Sequence, residues 1–509
     1  MANNTSNTKR IAKNTIVLYF RMAFIMCITL FTSRIVLQAL GVSDFGLYNV
    51  VAGVVGLISF LRTSLTSSTQ RFISYELGLG DEDHLRKVFS VCVSSHVLIA
   101  LIIFILAEII GVWFLNSYIQ IPEDRIVAAN WIFQFAIVSL CAGTISVPYS
   151  ADVISHEEMT CYAAITMIEA VLKLGIAYAL FISHTDRLIL YGALMACIDV
   201  FDFCMYFLYC RIKHKESKYK FYYDKPLFKR VFSFSGWTIL GQMSVVGANQ
   251  GTSILVNMYY SVIANAAIGV AQQINNALTG LTSNFQTAFQ PQITKSFAAK
   301  DYEYMNSLIG KTAKISFFLL FLVSLPIMFN MNFVLDIWLD QVPKYADGFA
   351  QWFIIASLLN ALSAPLWISV YASGDIKRYQ IVVSLIFFSD ILIVLALFEF
   401  FEVTPVAALI VKAFINLIVV FVRLVFAKKA VPEFSILDFM KNVVLRIFIV
   451  GLSCFVMCIL LKSLGDYEIH GILYTLIVVV VSFLLSFIVG FSKQERKSII
   501  LLIKKHIKI

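Results

Sequence analysis

Long apolar runs separated by short polar links occupy most of the 509-residue chain. Each run is continuous rather than alternating, which predicts helices and not the strands of a barrel. A helix needs about 20 apolar residues to cross the hydrocarbon core. Fourteen runs meet that length, at roughly 14–40, 45–70, 88–112, 127–150, 158–182, 187–210, 231–258, 263–290, 312–333, 348–371, 379–401, 404–427, 442–462 and 469–491. The predicted fold class is all-α: a polytopic membrane protein of about 14 transmembrane helices. Polar residues 1–13 precede the first run and no small-residue cleavage site follows it, so that run reads as a retained helix and not a signal peptide.

Composition agrees: 60% of residues are hydrophobic and only 14% charged, where soluble domains carry about 25% charged residues. The net charge of +9 would suit nucleic acid, but its placement follows the membrane instead. Cations crowd alternate links, including Lys9, Arg10, Lys13, Arg86, Lys87 and those between Arg211 and Arg230, whereas the opposite face holds Arg125, Arg187, Lys344 and Lys462. This positive-inside bias puts both termini in the cytoplasm. No nucleic-acid partner is expected. The basic, aromatic segment 211–230 reads as a linker touching anionic headgroups. All nine cysteines fall inside predicted helices. None forms a Cys-x-x-Cys pair and no His cluster accompanies them, so free buried thiols and no metal are expected.

An internal repeat organises the chain. Residues 35–81 and 254–301 share one layout at an offset near 220: the end of a long helix, a tight outer link, a helix rich in Ser, Thr, Gln and Asn, then a charged inner loop. The implied division is an N-lobe at 1–210 (helices 1–6), the linker 211–230, a C-lobe at 231–427 (helices 7–12), and helices 13–14 with a basic tail at 428–509. Two six-helix lobes in pseudo-twofold repeat, with two peripheral C-terminal helices, place a site near the midplane.

Four arginines, Arg21, Arg34, Arg62 and Arg71, stand in the apolar background of residues 15–76. A charge at the centre of a membrane helix costs roughly 2.5–3.5 kcal/mol on insertion scales, so these side chains should face a wet cavity or a partner. Arg21 and Arg34 are thirteen positions apart and cannot share a cavity on a straight helix. Asp44, in the outer link Gly41-Val42-Ser43-Asp44, is a gate candidate and a candidate partner for Arg34. Arg62 suits the mouth of a cavity, with snorkelling as the competing reading; for Arg71 snorkelling to headgroups is expected. Glu169 and Lys173 lie one turn apart, as do Asp199 and Asp202. Each pair reads either as a structural salt-bridge cluster or as a proton relay. Asp390 and Lys412 look like their counterpart in the second half. Gln272, Gln273, Asn276, Gln286 and Gln290 read as interhelical glue or as hydrogen bonders to sugar. No nucleotide-binding loop, nucleophile motif or metal spacing appears, so neither an enzyme nor a resident cofactor is expected.

The stretch Arg34-Ile-Val-Leu-Gln-Ala-Leu-Gly-Val-Ser-Asp-Phe-Gly-Leu-Tyr-Asn resembles the first-to-second helix signature of polysaccharide transporters. Ala264-Asn-Ala-Ala-Ile-Gly-Val-Ala-Gln-Gln-Ile resembles that of helices seven to eight. Both belong to the multidrug/oligosaccharidyl-lipid/polysaccharide (MOP) exporter superfamily, and the likeness is greatest to Wzx-type O-antigen flippases. The resemblance implies alternating access in the bacterial inner membrane, with an undecaprenyl-pyrophosphate-linked glycan as substrate and Arg21, Arg34 and Arg62 holding its pyrophosphate. Lipids, glycan polymerases and glycosyltransferases are the implied partners; a proton or sodium gradient or the membrane potential would supply coupling. A multidrug antiporter of the same superfamily is the alternative, although those place a carboxylate in helix one, which here carries arginines. A scaffold of a glycan-synthesis complex is the third reading.

Overall fold

Helix follows helix along the chain, and no strand occurs among the described residues. The structure, a computed structural model, describes residues 2–56, 59–118, 121–222, 224–260, 262–339, 342–463, 471–493 and 495–496. The basic tail expected beyond Arg496 lies outside them. We number the long helices α1 Ala2–Gly56, α2 Ser59–Leu79, α3 Glu82–Leu106, α4 Ile126–Ser155, α5 Met159–Ile182, α6 Arg187–Lys213 and α7 Lys225–Tyr259. There follow α8 Val262–Ala298, α9 Tyr302–Phe329, α10 Ala346–Ser373, α11 Lys377–Phe400, α12 Ala407–Ala430, α13 Leu445–Ser463 and α14 Gly471–Leu485. Helix α1 breaks at Gly41, whose φ of 79° belongs to the left-handed region that favours glycine. With that break the helices supply about fourteen membrane crossings. Ten segments among the described residues are long and apolar enough to cross by composition alone. The polar helices α2 and α8 are not among these ten.

The chain divides into two compact units, residues 11–242 and residues 1–10 with 243–509. In the first, α4 is the central helix, packed against α2, α3 and α6; in the second, α10 packs in the same way against α8, α9 and α12. Each central helix carries an internal proline, Pro148 or Pro365. The repeat extends to single residues at the offset of 220. Gly80 and Lys300 both take left-handed backbone. The next residues, Asp81 and Asp301, each accept a hydrogen bond from an amide three positions on, His84 N at 3.0 Å and Tyr304 N at 3.1 Å, capping α3 and α9.

In lipid, helices associate through close packing and not through escape from water. Helix α8 accordingly turns a face of small residues, Ala264, Ala267 and Ala271, into a core with Phe349 and Ile354 of α10. Phe89, Tyr149 and Tyr206 hold α3, α4 and α6 together in the other unit. The 211–230 segment contacts α3: the Tyr219 hydroxyl meets Ser94 at 3.1 Å, and Lys87 lies 5.5 Å from the Tyr222 ring. All nine cysteines are free, and Cys27, Cys197 and Cys204 are exposed on the chain where burial was expected. Helices α13 and α14 pack on each other and α14 on α9. There Glu495 holds Lys314 of α9 with both carboxylate oxygens at 2.6 Å.

Candidate functional site

Within the unit 11–242, α1, α5 and α6 enclose a cavity of about 430 Å³. Its wall is mixed: Arg21, Thr32, Thr166, Glu169, Lys173 and Tyr191 line it beside apolar residues such as Ile25, Val36 and Met195. Arg21 donates from Nε to the Thr166 hydroxyl at 2.7 Å, and its guanidinium lies 4.6 Å from the centre of the Tyr162 ring. Thr166 and Tyr162 both come from α5, so α5 helps to fix the direction of the α1 cation. Lys173 Nζ meets Glu169 Oε1 at 2.6 Å, one turn apart on α5, with both side chains partly exposed. An acid and a base therefore border the same space as Arg21.

Of the other arginines, Arg34 is exposed and does not line this cavity. Thirteen residues of helix separate it from Arg21, and the break in α1 comes only at Gly41. Arg62 is exposed too, and its guanidinium rests against the bare backbone of Gly143, where a Cβ would come within 2.9 Å of Nη1. Its charge acts on both Asp199 and Asp202. Asp199 takes a hydrogen bond from Ser139 on α4, while Asp202 is buried and its Oδ1 has no hydrogen-bond partner among the described residues. Arg71 corrects the snorkelling expectation. It is only 2% exposed, because the Phe72, Tyr75 and Phe234 rings surround its guanidinium at 4.9, 4.6 and 5.7 Å and favour it through their π faces.

Asp44 is paired, but with Arg125 and not Arg34. Arg125 spans from Asp44 to Asp186, at 2.7 Å to each carboxylate. Arg187 also donates to the Ala39 carbonyl at 3.1 Å, so two cations fasten the bend after Gly41. Burial pushes the Asp44 carboxyl above its ordinary range in spite of the Arg125 charge.

In the unit that holds 243–509, Asp390 of α11 accepts from Thr252 of α7 at 3.4 Å, and Lys412 of α12 donates a short hydrogen bond to Asn249 of α7. Both charged residues are buried. The amides of α8 divide by face. Asn275 points into the packing, where it accepts from Ser357 at 2.7 Å. Gln272 and Asn276 bond to each other at 2.7 Å on the open face with Gln273, and Gln286 and Gln290 follow half-buried.

One cluster escaped the sequence reading, which expected no metal-binding group of histidines. Asp152, His156, His214 and Glu216 converge where α4 and α6 end. The only local signal is the one-turn spacing of Asp152 and His156; His214 follows 58 residues later and nothing in the pattern joins them.

No family model matches the chain, and no curated protein matches it. Solved structures do. An outward-facing multidrug resistance MATE family transporter of the MOP superfamily superposes with a TM-score of 0.73 at 12% identity, covering 84% of this chain and 97% of the other. A MATE transporter of Vibrio cholerae gives 0.65 at 15% identity, over 84% and 98%. A MOP superfamily transporter of Pyrococcus furiosus, for which a binding pocket of reverse polarity suggests a different function, gives 0.69 at 12% identity over 84% and 96%. The chain is a multi-pass membrane protein with the MATE-like fold of the MOP-superfamily transporters.

Proposed function

We propose that this protein is a flippase that carries an undecaprenyl-pyrophosphate-linked glycan unit across the bacterial inner membrane, with both termini in the cytoplasm. The observation that carries the reading is Arg21: a guanidinium on the first helix that lines a cavity, held there by the Thr166 hydroxyl and the Tyr162 ring. The membrane arm of α1 has no carboxylate, only Arg21 and Arg34. A cation at that place attracts phosphate and repels a cationic drug. Lys173 adds positive charge that Glu169 offsets, so substrate phosphate competes with Glu169 for the same ammonium. Arg34 and Arg62 are secondary anion contacts, Asp44 holds the outer bend as a gate, and the open amide face of α8 from Gln272 to Gln290 suits glycan hydroxyls.

A second reading, an ion-coupled multidrug antiporter, draws on Asp199 and Asp202, two acids on α6 in the same unit. The test is complementation of a flippase-deleted strain. Wild type restores surface polysaccharide; Arg21→Ala lowers it at least tenfold at unchanged protein level, on the order of the ~1.4 kcal/mol that a factor of ten represents. Full polysaccharide in the variant, or drug resistance conferred without polysaccharide, overturns the flippase reading.

A further inference from the structure

The ends of α4 and α6 bring four metal-competent side chains to one point. Asp152 sits in the last turn of α4, His156 at its C-terminus, His214 just after α6 and Glu216 two residues on. One ligand atom from each lies within 4.8 Å of all the others. His214 Nδ1 is 2.6 Å from Asp152 Oδ2, and His156 Nε2 is 3.0 Å from Glu216 Oε1. The two imidazole rings stack at 4.0 Å with 17° between their planes.

The geometry of the cluster points to a cation that the side chains do not supply. Asp152 Oδ1, His214 Nε2 and Glu216 Oε1 are all buried and make no hydrogen bond among the described residues, although each has a neighbour at ion-pair distance, His156 Nδ1 at 3.4 Å, Glu158 Oε2 at 3.3 Å and His156 Nε2 at 3.0 Å. Orphaned buried polar atoms are rare, and three from one cluster call for an unseen partner. Both rings already turn Nδ1 toward Asp152, His156 to its carbonyl at 3.1 Å and His214 to its Oδ2 at 2.6 Å, so their Nε2 atoms face the rest of the cluster. The two carboxylates of Asp152 and Glu216 bring two negative charges to the same point, which one divalent ion balances. Glu158 is shared at the rim, one oxygen at 2.5 Å from Lys213 Nζ and the other at 3.3 Å from His214 Nε2.

We propose that Asp152, His156, His214 and Glu216 form a binding site for one divalent transition-metal ion of the zinc class, which ties the start of the 211–230 segment to the end of α4. Two imidazoles with two carboxylates suit zinc and its first-row neighbours. Magnesium and calcium take oxygen ligands instead. Tetrahedral bonds of roughly 2.0–2.2 Å set ligand atoms about 3.4 Å apart, so on loading the closest pairs open and the widest ones close. Asp152 and His156 supply one side of the site from a single helical turn, and His214 and Glu216 the other. The competing arrangement holds no ion: there the His156 ring is charged, favoured by its flanking carboxylates against burial.

The experiment uses the purified full-length protein in detergent, stripped with a chelator and desalted. Zinc is titrated calorimetrically, and cobalt is added as a spectroscopic probe. Wild type should bind one equivalent with micromolar or tighter affinity, give the intense absorption of tetrahedral cobalt, and gain thermal stability with zinc but not with magnesium or calcium. His156→Gln/Glu216→Gln should weaken zinc binding at least tenfold; His214→Gln serves if that pair misfolds. Substoichiometric binding by wild type, or equal affinity in a folded variant, overturns the proposal and leaves the charged-histidine network. Wild type alone decides the first point, and no transport substrate enters the assay, so the outcome is independent of the flippase reading.

Discussion

In the unit 11–242 an acid and a lysine meet directly, one turn apart on α5 at 2.6 Å, and both keep about a quarter to a third of their side-chain surface open. In the unit that holds 243–509, the acid of α11 and the lysine of α12 are each tied to α7 by a neutral side chain, Thr252 or Asn249. These two charges are almost closed off, 1% and 7% exposed. The repeat thus preserves the presence of acid and base on the paired helices but not their surroundings. An exposed pair contributes little to stability, typically about 0–1 kcal/mol, and its groups stay available to a ligand. A buried charge is held by its whole environment, and removing its counter-charge costs about 3–5 kcal/mol. The same chemistry therefore serves packing in one unit and borders a cavity in the other.

The largest effect should come from Lys412→Met, which strips Asp390 of its counter-charge. Thermal unfolding in detergent should show a loss of about 3–5 kcal/mol. The double variant Lys412→Met/Asp390→Asn should recover much of it, since neither charge is then left uncompensated. A single variant as mild as an exposed-pair mutation would erase the contrast between the units. Next in size is Asp202→Asn. If Asp202 passes protons to or from the cavity, the variant should lose the pH dependence of transport in proteoliposomes while folding normally. An unchanged pH profile removes the relay and leaves a structural acid. Glu169→Gln should then cost no more than about 1 kcal/mol of stability while altering transport, because it frees Lys173 beside Arg21. Stability loss as great as that of Lys412→Met would place both pairs in the same structural role.

What the sequence made legible was whatever a local pattern encodes. Apolar runs gave the helices, the offset near 220 gave the two charged inner loops where Asp81 and Asp301 turn out to cap helices, and the tight link from Gly41 to Asp44 fell at the break in α1. Arg21 and Lys173 could be singled out because charge in an apolar run needs a reason. Partners could not be read. Asp44 takes Arg125 across 81 residues, Arg71 finds its third ring in Phe234, and Asp152 meets His214 across 62. These contacts arise from which helices pack together, and periodicity along one helix carries no record of its neighbour. The amides of α8 show the boundary: Asn275 and Asn276 are adjacent in the chain and Gln272 lies within a turn of both, and only the position of Ser357 tells which of them faces the packing.

The smallest effect belongs to the outer bend, and its sign is informative. Burial holds the Asp44 carboxyl above its ordinary range, against the pull of Arg125. The folded protein therefore binds a proton at Asp44 more readily than the unfolded chain, whose carboxyl titrates near 3.9. The stability this contributes is fully present below that value and is lost as pH rises through the higher folded value. Asp44→Asn has no proton to lose there and should still accept from Arg125, which keeps Asp186 as well. Across that window the stability of the variant relative to wild type should rise with pH, then level off, by a few tenths of a kcal/mol, on the order expected for a partly exposed ion pair. Denaturation in detergent at stepped pH measures it. A relative stability that falls with pH would mean that the attraction to Arg125 outweighs burial, and that the bend after Gly41 is clamped by an ion pair in the way that Glu495 clamps Lys314.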